Sequence, residues 1–226
     1  MSKSEPKKAS RRTSRQREAG AVTRADTRRR ILAAAIEVFS ESGYAAATVA
    51  KIAERADVSV QSIYSSWGNK RGLLRGMLEA QLMGGQPGAV NPTDMPAAIL
   101  DAFDPTTATP RELIAHATHQ FRLLTERAAV GFGTYAQAAA VDPEAATDWQ
   151  NLMEIRRMAI RNLIGNIPVD QLRSELTPES AGDTAWVIAS PHTHEQLVVR
   201  AGFTYDDFED WVRTTLTAAL LPDIPA

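Results

Sequence analysis

The stretch Thr48–Asn69, TVAKIAERADVSVQSIYSSWGN, decides the fold. Val49, Ile52, Ala53 and Ala56 recur at i, i+3, i+4 and i+7, which lines one face of a helix with apolar side chains. Thr48 stands where its hydroxyl can accept from the amides of the first turn, and the helix is expected to stop at Ala56. Ser59 repeats the device for a second helix, with Val58 and Ile63 at the two staple positions that set its entry angle. Ala56-Asp57-Val58 makes the turn, and Asp57 is expected in the left-handed conformation, which Asp tolerates. The second helix turns Val60, Gln61, Ser62, Tyr64 and Ser65 outward. Apart from the valine these are neutral and hydrogen-bonding, as a surface that reads the major groove of DNA would be.

Two helices cannot bury both of their stripes, so the neighbouring sequence has to close the core. Upstream, Ile31, Leu32, Ala35, Ile36 and Phe39 form a stripe at helical spacing, with Thr23 or Asp26 as its cap and Ser42-Gly43 as its end. Downstream, Asn69 caps a helix through Lys70, Leu73, Leu74, Met77, Leu78 and Leu82, closed by Gly84-Gly85 and a loop with Pro87, Gly88 and Pro92.

The net charge of −2 conceals an asymmetry: residues 1–30 carry 11 Lys or Arg against 3 acids, and no lysine follows Lys70. A basic end suits a polyanion, and the acidic remainder does not. Residues 1–21 contain no Leu, Ile, Val or Phe and are expected to form a mobile arm. With Arg24 and Arg28–Arg30, that arm either reaches DNA phosphates or serves as a solubilising tail.

Beyond residue 100, four capping residues each precede a proline: Thr109-Pro110, Asp142-Pro143, Thr177-Pro178 and Ser190-Pro191. Glu112 adds a capping box to the first of these. Helices are expected over residues 110–125, 143–164, 178–189 and 205–221. No alternating run supports a strand, so the fold class is all-α. The last helix carries Phe208, Trp211, Val212, Thr215, Leu216 and Ala219 as one wide stripe, which suits either the chain's own core or a bundle between subunits. A single two-helix reader covers half a site, which favours a symmetric homodimer on a palindromic operator.

Zero cysteines exclude disulfides, thiolate nucleophiles and cysteine-ligated zinc, and no glycine-rich phosphate loop is present. With neither a signal-peptide core nor an apolar run of membrane-spanning length, the chain reads as cytoplasmic. His116 with His119, and His192 with His194, are the only histidine pairs. Only Glu195 lies beside either at motif spacing, so no metal site, catalytic residue or cofactor is assigned. His116, Gln120, Phe121, Tyr135, Trp149, Met153 and Arg157 could line a pocket for a small, largely apolar effector, although such residues usually pack as core. Trp149, Met153 and Arg157 share a face at i, i+4 and i+8, which suggests an anionic group on that ligand.

The order of parts resembles the TetR family of bacterial transcriptional regulators, most closely over Arg29–Leu74. This region contains the run ILAAAIEVFSESGYAAATVAKIAERADVSVQSIYSSWGNKRGLL, residues 31–74. With the composition changing near residue 80, the chain is expected to hold a disordered basic arm over 1–22, a three-helix helix-turn-helix DNA-binding domain over 23–80 and a helical ligand-binding and dimerisation domain over 81–226. The resemblance implies that Thr48 and Tyr64 bind phosphates, that Lys70 holds a backbone phosphate, and that Ser59, Val60, Gln61, Ser62 and Ser65 lie on the recognition helix, with Arg28 and Arg29 at the DNA. It also implies that Trp186, with Phe208, Trp211, Val212, Thr215, Leu216 and Ala219, lies on helices paired across a dimer. Val60, Asp57 and Trp67 depart from the family's usual polar or basic residue, glycine and phenylalanine, which leaves Val60 an apolar contact with a thymine methyl. The expected mechanism is a homodimeric repressor whose two heads must sit about 34 Å apart, one helical turn of DNA, until a ligand favours another spacing. A DNA-binding protein with no small-molecule ligand is the alternative, and an enzyme is the remotest reading.

Overall fold

The computed structural model describes residues 6–83 and 103–223, with side chains from Val22 onward. These residues are helical with no strand among them. The chain divides into two compact units, Met1–Met77 and Leu78–Ala226.

The first unit is built on α1 (Pro6–Ala46), α2 (Val49–Arg55), α3 (Val60–Trp67) and α4 (Lys70–Leu82), the last passing into the second unit. The hydroxyl of Thr48 accepts from the Lys51 amide at 3.1 Å, and that of Ser59 accepts from the Ser62 amide at 3.1 Å, so both expected caps form. Asn69 accepts from the Gly72 amide at 2.7 Å. Asp57 has φ 52°, the left-handed turn residue expected between α2 and α3. The periodic apolar side chains meet in one core, where Ile31, Val38, Phe39, Ile52, Ile63, Leu73, Leu74 and Met77 are almost fully buried. Phe39 and Tyr44 stack with ring centroids 6.1 Å apart.

One element differs. The helix does not begin at Thr23 or Asp26 but extends back to Pro6, through residues expected to form a mobile arm. Low apolar content argues against burial, not against helix: Lys, Arg, Ala, Gln and Glu are good helix formers, and elongating an existing helix avoids the cost of nucleation. Its other end behaves as expected, since Gly43 (φ 66°, ψ 177°) breaks the helical path.

The second unit holds α5 (Pro110–Ala139), α6 (Pro143–Ile164), a 3-10 turn at Val169–Gln171, α7 (Pro178–Ile188), α8 (Pro191–His194), a π-helical turn at Glu195–Arg200 and α9 (Tyr205–Leu220). All four proline-preceding residues cap their helices through side-chain oxygens, Thr109 within a full capping box. α5 runs on past the expected end at Thr125, because nothing between Thr125 and Ala139 breaks a helix. Gly131 is used for packing, since a Cβ there would lie 2.4 Å from Gln81 Oε1 and 2.8 Å from Leu78 Cδ1. The loop expected after Gly84-Gly85 lies outside the described residues.

Leu113 and Ile114 of α5, Ile164 of α6, Ala181 and Ala185 of α7, and Phe208, Val212, Leu216 and Leu220 of α9 form the main core of this unit. This corrects part of the expected dimer surface. Phe208, Val212 and Leu216 are 0, 0 and 3 % exposed within one chain and cannot reach a partner. The stripe is wide because its centre packs inward; Trp211, 37 % exposed, and half-buried Thr215 and Ala219 stand at its edge, and half-buried Trp186 stands on α7.

Candidate functional site

The caps that start α2 and α3 also determine which groups those helices present. On α3 the Ser59 and Ser62 hydroxyls pair at 2.8 Å, while those of Ser65 and Ser66 donate back to the Ser62 carbonyl at 3.0 and 2.9 Å. Serine hydroxyls in helices commonly bond back in this way. The groups left standing outward are Val60, 38 % exposed, Tyr64, 45 % exposed, and Gln61, whose amide has no partner among the described residues. The opposite side of α3 buries Ile63 and half-buries Trp67. The helix therefore offers one amide, one phenol and one aliphatic contact on a face about two turns long.

The basic residues around it are mostly engaged. The Arg28 guanidinium stacks over Trp67 at 5.0 Å with its Nε buried, so it supports packing rather than standing open to a phosphate as expected. Arg29 is exposed and ion-paired with Asp26. Arg30 donates to the Ala56 carbonyl at 2.9 Å. On α2, Arg55 and Lys51 both bond to Glu41, and these hydrogen bonds hold its carboxyl below the usual range. Lys70 donates to the carbonyls of Tyr44 and Ala47 at 2.7 and 3.0 Å, with its ammonium 4.2 Å above the Tyr44 ring. It thereby ties the start of α4 to the end of α1 and the link that follows it.

This geometry, a capped α2, a left-handed Asp57 and an outward α3, coincides with a match over residues 31–77 to the model of the bacterial regulatory proteins of the tetR family. That match spans α2, α3, the C-terminal part of α1 and most of α4, about a fifth of the chain. The chain is similar along most of its length to the HTH-type transcriptional regulator YdeS of Bacillus subtilis, with 29 % identity over 170 residues, 70 % of this chain and 73 % of that one. A solved structure of NalD, the secondary repressor of the MexAB-OprM multidrug efflux pump in Pseudomonas aeruginosa, shares the fold with a TM-score of 0.64 at 20 % identity. That match covers 88 % of this chain and 98 % of the other. The proteins that this chain resembles in sequence are transcriptional regulators.

The second unit carries several hollows, and Arg156 lines two of them. A cavity of about 60 Å³ lies among Phe121, Leu124, Arg156, Ala159, Leu163 and Leu216. An open groove of about 580 Å³ runs past Trp149, Met153, Arg156, Arg157, Trp186 and His192. Of the expected effector-binding residues, Phe121 lines the cavity, and Trp149, Met153 and Arg157 line the groove. His116, Gln120 and Tyr135 line neither: His116 stacks on Phe103 at 4.1 Å, and the Tyr135 hydroxyl donates to Asp148 at 3.2 Å.

Arg157 is not available to an anion as expected. Asp183 accepts from Arg157 at 2.8 and 2.8 Å and from Arg161 at 2.8 and 2.6 Å, so both guanidinium forks are occupied. Those bonds hold the Asp183 carboxyl far below the usual range and raise both arginines. The neighbour that sequence reading missed is Arg156, 5 % exposed, with both terminal nitrogens buried and without a hydrogen-bond partner. Its i+4 partner Ile160 and i−3 partner Met153 would have marked it as inward-facing, but an arginine on an apolar face is easily assigned to the surface. His119 bonds to Glu209 at 3.1 Å, and no cluster of three metal-ligating residues occurs among the described residues. No helix there is long and apolar enough to cross a membrane.

Proposed function

We propose that this protein is a homodimeric, cytoplasmic repressor that grips a palindromic operator with two copies of α3 and leaves it when a small, largely apolar ligand enters the second unit. Residues 23–80 form the reading head, and residues 81–226 form the ligand and dimer domain. The exposed face of α3 carries this reading: Gln61 and Tyr64 stand clear of a backbone whose caps are internally satisfied, so their polar groups remain for DNA. Gln61 offers the amide geometry that pairs with the edge of adenine, Val60 can meet a thymine methyl, and Tyr64 and Thr48 can donate to phosphates. That NalD is a repressor supports the sign of regulation.

Operator binding by variants tests it. Gln61→Ala should remove about 1–3 kcal/mol of preference at one base pair in each half-site, while Tyr64→Phe should weaken all sequences alike. If Gln61→Ala instead lowers affinity for every sequence by the same factor, α3 does not read bases through this residue.

A further inference from the structure

Arg156 is a cation placed where nothing among the described residues answers its charge. The acids of the surrounding helices are committed elsewhere: Asp183 to Arg157 and Arg161, Glu209 to His119 and Arg122, and Asp148 to Tyr135. Glu154 lies beside Arg157 at 3.8 Å. The Arg156 guanidinium lies 5.3 Å over the Phe121 ring, and both terminal nitrogens are buried without a hydrogen-bond partner. Burial lowers its pKa to about 9, so it is still charged at neutral pH. Replacing an uncompensated buried charge with an apolar side chain generally stabilises a protein. A charge retained in such a place calls for a partner from outside.

The cavity beside it specifies that partner. Its walls are almost wholly apolar, and its one hydroxyl, on Thr118, donates to the Ile114 carbonyl at 2.7 Å. A water needs about 10–15 Å³ of such space, so 60 Å³ holds a body of about four to six heavy atoms. A carboxylate matches the guanidinium fork with two parallel hydrogen bonds, and its single charge balances the single charge present. A phosphate dianion would leave excess charge against apolar walls. Arg156 also lines the open groove and so borders both hollows.

We infer that the effector is a small monocarboxylic acid with an apolar body, its carboxylate held by Arg156 and its carbon skeleton lodged against Phe121, Leu124, Ala159 and Leu216. This names the ligand class of the effector-release reading above and rests on it.

Thermal melting of the full chain with pentanoate or hexanoate, whose tails of four and five carbons suit that volume, compared with hexan-1-ol, hexanamide and inorganic phosphate, tests the inference. At a hundredfold excess over Kd the acids should raise Tm by roughly 5–10 °C, and the neutral analogues and phosphate should leave it almost unchanged. Arg156→Met should melt higher than the parent without ligand and respond to neither acid. Arg156→Lys, which keeps the charge and loses the fork, should lose most of the response. Equal shifts with acid and alcohol, no shift with either acid, or an acid response surviving in Arg156→Met would each overturn the assignment. Operator binding separates the two readings. Acids that raise Tm but leave DNA affinity intact support the site and sink effector release; specific operator binding with no acid response sinks the site and leaves the regulator.

Discussion

Lys70 is the residue at which the family resemblance and the geometry pull apart. The resemblance implies a phosphate contact, whereas two of the three ammonium hydrogens are held by the carbonyls of Tyr44 and Ala47. Lys70→Met should therefore lower the melting temperature of the first unit as well as weaken binding to all sequences; unchanged melting would mean that the carbonyl contacts are incidental. His194 poses a different residue-level question. It is buried against Tyr205 and Phe208, its Nε2 has no partner, and burial lowers its pKa, against a smaller opposing effect of Glu195. The folded chain then prefers neutral imidazole, while the unfolded chain takes up a proton near pH 6.5. Its contribution to stability is full above about pH 6.5 and is lost as pH falls towards the folded value. His194→Phe should flatten the loss of stability between pH 7 and 5, and parallel curves for parent and variant would rule this out.

At the scale of the element, the helices and their caps were legible because each rests on local chemistry. A Thr, Ser or Asp hydrogen-bonds an amide two or three residues on, and apolar spacing repeats with the helical turn. What was not legible is which residue of a helix meets which neighbour. Arg156 and Arg157 are adjacent in sequence and opposite in fate, and only the approach of α7 decides that Asp183 takes one and strands the other. Gly182 permits that approach: a Cβ there would lie 2.7 Å from Arg161 Cγ and 2.9 Å from its Cα, and the second contact is backbone that cannot swing away. Gly182→Ala should cost about 1–3 kcal/mol by overpacking. Gly133, also inside a helix, has nothing within 4 Å of the same position, so Gly133→Ala should stabilise by up to about 1 kcal/mol. Urea denaturation of the two variants side by side checks both signs, and a Gly182→Ala chain as stable as the parent would mean that α6 and α7 are not in close contact there.

At the scale of the whole molecule, the paired-reader reading needs a surface on which two chains meet, and burial narrows where that surface lies. The centre of the α9 stripe is already occupied by α5 and α7, so a partner can touch only its edge, Trp211, Thr215 and Ala219; on α7, Val187 is 58 % exposed. A tryptophan and a valine left open on helices that otherwise bury their apolar residues are the kind of anchors that dimer interfaces use. Trp211→Glu should therefore convert a dimer to a monomer in sedimentation, and because operator binding draws on two heads at once, it should lower operator affinity far more than it lowers binding of an isolated half-site. The melting of the monomer core should change little, since Phe208, Val212 and Leu216 keep their places. A Trp211→Glu chain that still sediments as a dimer would move the interface off this face, and a parent chain that is monomeric while binding its full operator would remove the need for one.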